Sequence, residues 1–195
     1  MIRTLALLLL AASALRADDW PSFRGPSGNG LSAEKSAPAV WSAEKNIKWK
    51  AALPHKGNGS PVVSNGRVFV AGPEDAEGKR RSLFCYDRKD GKLLWTRTID
   101  FGKTLKTHET NPHSSSTPAA DGERVVVWHG SAGLYCYDFS GKELWTKTPG
   151  TVDHFWGDGV SPVLHQGKVL LNCGPGKRTF LTARSEEHTS ELQSQ

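Results

Sequence analysis

No apolar run in this chain approaches the 18 or more residues that a membrane-spanning helix needs. The longest uninterrupted apolar core, Leu5–Ala12, is far too short, so no transmembrane segment is expected. Cysteine is scarce as well, with three residues in all and none before Cys85. A lipid anchor needs a cysteine at the cleavage site of an export signal, so none is expected there. The charge balance is mildly basic, +5 at neutral pH. Its Lys and Arg residues are scattered around candidate turns, as in Lys79-Arg80-Arg81, Lys103 with Lys106, and Lys177-Arg178. A nucleic-acid surface would need a denser basic stripe with interleaved stacking aromatics, so these residues read as a solvated face and no nucleic-acid partner is expected.

The two ends differ from everything between them. Residues 1–17 have a basic start at Arg3, the short apolar core, and small residues at Ala12, Ala14 and Ala17. This is the pattern of a cleaved secretory signal, with cleavage after Ala14 or Ala17, and it implies a periplasmic or extracellular destination. At the other end the composition changes after Phe180–Ala183 to RSEEHTSELQSQ. Residues 184–194 resemble translated sequencing-adapter sequence, so 184–195 are expected to be a non-native tail and 18–183 to be the folded part, a fragment.

Between those limits one phrase is written twice, LFCYDRKDGKLLWTRT at Leu83–Thr98 and LYCYDFSGKELWTKT at Leu134–Thr148. Each copy reads as strand, Gly turn, strand. A second phrase precedes it and occurs three times: SPVVSNGRVFVAG from Ser60, TPAADGERVVVWHG from Thr117, and SPVLHQGKVLLNCG from Ser161. The turns Asn65-Gly66, Asp121-Gly122 and Gln166-Gly167 join a short strand to a strongly β-prone one. Pro61, Pro118 and Pro162 lack an amide hydrogen and suit the start of a strand. The order is four strands per unit, for example Pro118–Ala120, Arg124–Trp128, Leu134–Tyr137 and Glu143–Lys147. Trp49, Trp95 and Trp145 mark unit ends about 50 residues apart. Short antiparallel strands in fours at this period are the signature of β-propeller blades.

The expected fold class is therefore all-β, a propeller of four-stranded antiparallel blades. Its inventory is the last strand of one blade (Asn46–Leu53), two complete blades (Gly59–Thr98 and Ser115–Thr148) and half of another (Gly159–Ala183). The stretch Gly72–Arg81 reads as a polar loop inserted into the first full blade. Cys85 and Cys136 hold equivalent places in neighbouring blades, about 10 Å apart in face-to-face packing and out of disulfide reach, so they read as buried apolar residues. Cys173 either packs likewise or pairs elsewhere.

The phrase resembles the pyrroloquinoline-quinone-like (PQQ-like) propeller repeat, which runs Tyr-x-Leu-Asp-x-x-x-Gly-Lys-x-x-Trp. Tyr86, Asp87, Gly91, Lys92 and Trp95 follow it, as do Tyr137, Asp138, Gly141, Lys142 and Trp145 with one residue fewer in the turn. The opening DWPSFRGPSGNG, Asp19–Gly30, is similar to the start of exported bacterial propellers of this group. The resemblance spans Asp19–Leu181 and implies the fold. For activity it implies two directions: quinoprotein dehydrogenases, with PQQ and calcium on the ring axis and a disulfide between adjacent cysteines, or non-catalytic scaffolds. No adjacent cysteine pair occurs in this sequence.

Repeated residues build blade walls, so function is sought where the units do not repeat. Two loops leading into first strands are the candidates. One carries His108, Glu109, Asn111, His113 and Ser114–Ser116, and the other carries Asp153, His154, Trp156 and Asp158. Opening on one face, they would bring imidazoles, carboxylates and an indole to a polar rim. The spacing of His108 and His113 is not that of a tight metal site, and each His could equally cap a turn or pack beside a Trp. Two functions remain: an exported binding or scaffold propeller for an unknown protein, peptide or saccharide, and a PQQ-dependent periplasmic oxidoreductase of the alcohol or sugar type.

Overall fold

The computed structural model describes residues 19–148, 150–152, 154, 156–173 and 180–185. It forms three separate antiparallel sheets in chain order. The first contains β1 (Val62–Ser64), β2 (Arg67–Pro73), β3 (Arg80–Asp87) and β4 (Leu93–Asp100), hydrogen-bonded in that order. The second repeats the plan with β5 (Ala119–Ala120), β6 (Arg124–Trp128), β7 (Leu134–Asp138) and β8 (Glu143–Lys147). The third has β9 (Val163–His165), β10 (Lys168–Cys173) and β11 (Phe180–Ser185), so the last unit shows three strands rather than half a blade. Among the described residues no helix is long and apolar enough to cross a membrane.

Local chemistry accounts for the hairpins. Asn65 and Gly66 both have positive φ, as do Gln166 and Gly167, which is the conformation of a tight two-residue hairpin whose twist matches the strands it joins. The Asp121 carboxylate accepts the amide hydrogens of Glu123 and Arg124 and shapes the equivalent turn of the second sheet. Both complete blades carry a β-bulge at the same place, after Cys85 and after Cys136, where the outer strand passes one extra residue, Leu94 or Leu144.

The twice-written phrase proves to be a joint between blades. Its Asp builds the turn: Asp138 accepts amide hydrogens from Ser140 and Lys142, and Asp87 one from Lys89. Its Gly adopts positive φ, 74° at Gly91 and 87° at Gly141. The Trp of the preceding unit lies on that Gly, so closely that a Cβ at Gly91 would fall 2.5 Å from the Trp49 ring and one at Gly141 would fall 2.9 Å from the Trp95 ring. The same indoles donate to the turn, Trp49 Nε1 to the Arg88 carbonyl and Trp95 Nε1 to the Phe139 carbonyl, each at 3.0 Å. Segment 46–53, expected as an outer strand, has no ladder partner among the described residues, which supply no third strand for its blade; Trp49 is what docks it.

Two apolar layers lie between the sheets. Val62, Phe69, Leu83 and Cys85 of the first pack against Val125, Val127 and Tyr137 of the second. The other face of the second sheet, Val126, Trp128, Leu134 and Cys136, packs against Val169, Leu171 and Cys173 of the third. All three cysteines are buried, and burial pushes the Cys85 thiol up to about 12. Pairing in β11 continues through Arg184 and Ser185, opposite Val169 and Lys168, two residues past the change in composition at Ala183. The signal-like residues 1–17 and the remainder of the tail lie outside the described residues.

The N-terminal DWPSFRG segment is a strap along the inner strands. Trp20 exchanges two backbone hydrogen bonds with Val63 of β1, and the Pro21 carbonyl accepts from Ala120 of β5. Asp19 accepts from the Asn65 amide at 2.7 Å and pairs with Arg88 at 3.4 Å. The segment thus ties the axial edges of two blades together.

Candidate functional site

The loops 101–118 and 148–162 do meet. Asn111 Nδ2 donates to the Trp156 carbonyl, and the His108 ring packs on the Trp156 indole with centroids 4.5 Å apart. His108 Nδ1 also meets the Thr110 hydroxyl at 2.8 Å, and His154 Nδ1 accepts the Trp156 amide hydrogen at 3.3 Å. Asn111 Oδ1 takes the Ser115 hydroxyl as donor, so this side chain fixes its own loop and the neighbouring one. Glu109 is exposed on the same rim, and Trp156 is 55% exposed. Asp153 lies outside the described residues.

Beneath the rim sits a group that sequence reading placed in solvent. Arg81 is only 2% exposed, because β3 begins at Arg80 and draws its side chain inward rather than leaving it in a loop. It donates from Nε to the Gly78 carbonyl at 3.0 Å and from Nη1 to the His129 carbonyl of the second sheet, and its guanidinium stacks over the Phe101 ring. The Asp158 carboxylate closes against the same place. It accepts the Ser131 amide hydrogen, and a Cβ at Gly130 would overlap the carboxylate and come within 3.1 Å of the guanidinium. Gly130, at φ 62°, is what lets the 3-10 turn Gly130–Ala132 approach so closely. Arg81 therefore links elements of all three units.

Burial governs the electrostatics of this cluster. It raises the Asp158 carboxyl above its ordinary value, against the pull of Arg81, the Ser131 amide and His154. It lowers the Arg81 guanidinium, opposed by Asp158 and Asp75. His113, packed on Gly78, is lowered by burial and by Arg81. His129, fully enclosed beside Arg81, is held down to about 3. The crevice between the two loops, lined by Arg81, Thr107, His113, Val152, His154 and Asp158, has a volume of about 10 Å³, room for roughly one water molecule. Among the described residues no three His, Cys, Asp or Glu side chains gather as a metal site.

The chain matches the family model described as outer membrane protein assembly factor BamB, over residues 31–100 and 79–185. It belongs to that PQQ-like, BamB-type propeller family. Among solved structures, the BamB-type chain is similar to quinohemoprotein alcohol dehydrogenase from Comamonas testosteroni at 19% identity, with a TM-score of 0.60 over 90% of this chain and 27% of that one. It is also similar to a europium-containing methanol dehydrogenase, at 16% identity and a TM-score of 0.48 over 68% of this chain and 23% of that one. BamB from Moraxella catarrhalis matches at 14% identity and a TM-score of 0.46, over 71% and 36%. At 19% identity the likeness to the quinohemoprotein alcohol dehydrogenase shows the fold alone, and the chain spans about a quarter to a third of the length of these proteins. No curated protein matches.

Of the eight candidate residues, the seven described ones lie at or just beneath the meeting of these two loops, and sequence reading did not single out Arg81, His129 or Gly130 beside them. The signal for Gly130 was present in the Trp128-His129-Gly130 break that separates β6 from β7. Arg81 gave none, since one Arg in a basic triplet looks like its neighbours.

Proposed function

We propose that this chain is part of an exported β-propeller acting as a binding or scaffold module, with the rim around Trp156, Glu109 and His108 as its ligand-facing surface. The observation that carries this reading is how the converged polar groups are engaged. Asn111 and His108 hold the two loops to each other, His154 braces its own loop at Trp156, Asp158 and Arg81 pin the blades beneath, and the crevice admits about one water. A reaction site would need a base within reach of a nucleophile or substrate and a volume to receive it. A hydrogen-bonded rim with an exposed indole suits recognition of a protein, peptide or saccharide surface, where an aromatic anchor supplies much of the affinity. Description of the family by an assembly factor agrees with a scaffold.

The quinone alternative requires residues for an anionic quinone and a calcium ion. The described residues do not fit that pair, since the carboxylates here are dispersed or already held, and no adjacent cysteines occur. Trp156→Ala decides whether the rim binds. In the full chain it should leave the thermal transition unchanged and weaken capture of the native ligand by roughly 2 kcal/mol, about thirtyfold. Unchanged capture would remove the rim from the account, and a spectral change on titrating the wild type with PQQ and calcium would favour the dehydrogenase.

A further inference from the structure

A second cavity lies on the axial side, between the strap and the starts of the inner strands. It measures about 230 Å³ and is bounded by Ser22 and Phe23 of the strap, Asn58 before β1, Ser115 and Thr117 before β5, and Gly159, Ser161, Pro162 and Val163 at the start of β9. We infer that this cavity binds one neutral polyhydroxylated ring, a saccharide residue or a cyclitol. The inference stands apart from the loop-rim reading, because none of the rim residues His108, Trp156 or Asp158 lines the cavity.

Size comes first. The volume exceeds the ~150 Å³ apolar cavity known to take benzene and falls short of the ~300 Å³ at which drug-sized pockets begin, which leaves room for a single six-membered ring with its substituents. Charge comes second. No Asp, Glu, Lys, Arg or His lines the cavity, so a charged ligand would be desolvated without a counter-charge, while a neutral one loses little.

Hydrogen-bonding capacity is the third point, and it comes from the repeated Ser/Thr-Pro phrase. The Ser60 amide donates to Thr117 Oγ1, and the Thr117 amide donates to Ser161 Oγ, each at 2.9 Å. Equivalent residues of successive blades are thus linked hydroxyl to amide around the axis. Each hydroxyl used this way is an acceptor whose oxygen is fixed, leaving its own hydrogen to donate into the cavity. Ser115 is the reverse: the one hydrogen of its hydroxyl is directed to Asn111 Oδ1 and the Pro112 carbonyl as shared acceptors, leaving lone pairs to accept. Asn58 Nδ2 donates to the Thr110 carbonyl, leaving its amide oxygen as another acceptor. Donors and acceptors therefore both border one small space. A polyol, whose every hydroxyl both donates and accepts, satisfies that set, whereas a hydrocarbon ring would strand it. Finally, Phe23 stands at the mouth 57% exposed, an aromatic face for the C–H side of a sugar ring.

The test is ligand-observed NMR on the full chain with methyl glucoside and myo-inositol as neutral probes and glucuronate as the charged one. Saturation transfer to a neutral probe at ~mM affinity is expected, with at least tenfold weaker binding of glucuronate. Phe23→Ala, at an exposed position, should weaken the neutral probe about tenfold without moving the thermal transition. Trp156→Ala should leave it unaltered. The inference is overturned if neither neutral probe binds, if glucuronate binds as well as they do, or if Phe23→Ala changes nothing. It is also overturned if a short extended peptide displaces the neutral probe and binds more tightly, since the cavity would then be a strand-docking edge.

Discussion

His129 carries two ring nitrogens, and neither meets a hydrogen-bonding partner among the described residues, although the side chain is fully enclosed beside Arg81. Such a group is tolerated only as the neutral imidazole, which is why burial, with Arg81 beside it, holds its pKa down to about 3 from the ordinary 6.5. The sign of its linkage follows. Above pH 6.5 folded and unfolded chains are both neutral at this position, and the stability is intact. As pH falls from 6.5 towards 3, the unfolded chain takes up a proton that the folded one refuses. Stability is therefore lost across that window, with a slope of at most about 1.4 kcal/mol per pH unit. His113 is displaced in the same direction, while Asp158, raised by burial, acts oppositely above the ordinary carboxylate value of 3.8. Replacing His129 with Phe keeps the ring and removes the titration. His129→Phe should leave stability at pH 7 unchanged or higher and flatten part of the acid limb, as read from urea midpoints of the full chain between pH 4 and 8. A loss above ~1 kcal/mol at pH 7 with the acid limb intact would mean that the ring nitrogens are hydrogen-bonded through water.

At the scale of the element, the joint formed by Trp95 and the Gly141 turn makes a coupled prediction. Trp95→Ala removes an indole packed in the first apolar layer and should cost about 3–5 kcal/mol. Gly141→Ala forces a side chain into positive φ and into the ring, so it should cost more than the ~1 kcal/mol of backbone strain alone. In the Trp95→Ala background the clash with the ring is gone, and the strain and the close approach to the Arg97 guanidinium should remain. A double-mutant cycle by denaturant unfolding therefore gives a strongly less-than-additive pair, and simple additivity would mean that the two do not touch in solution. This joint also explains what was legible in the sequence. Its residues recur because each unit needs the same turn and the same indole, so the phrase announced the strands, their order and the blade boundaries. Arg81 was illegible because its burial is decided by partners such as His129, 48 residues further on, and not by its basic neighbours. The meeting of the two candidate loops was legible, but their closure onto a one-water crevice was not: that depends on Gly78, Gly130 and Gly157 letting backbone lie against side chains. The strap carried a family-like motif without any local sign that it would pair with β1 and β5.

For the whole molecule, the three sheets leave the ring open, and the consequence is carried by the third sheet. Val163 pairs with Leu170, and Leu181 pairs with Asn172, which places Val163, Leu170 and Leu181 on one face of that sheet. The opposite face, with Val169, Leu171 and Cys173, is buried against the second sheet, while Val163 and Leu181 are 51% and 68% exposed. A blade is a two-sided layer and gains its stability only when both faces are covered, much as any stacked repeat depends on its neighbours. The outer face of the first sheet is partly covered, since Trp49 packs against Val68, Phe84 and Tyr86, but nothing among the described residues does the same for the third. Residues 19–185 expressed alone should therefore associate through that face or melt without a sharp transition. Sedimentation should show oligomers, and a dye that binds exposed apolar surface should respond at room temperature. Substituting Leu181→Lys and Val163→Thr together should suppress the association by removing apolar area, without restoring cooperativity, because the missing packing energy is not replaced. A monomeric 19–185 with a single sharp thermal transition would show instead that the two inter-sheet layers, the Trp–Gly joints and the strap are sufficient, and that this part of the propeller folds without closing the ring.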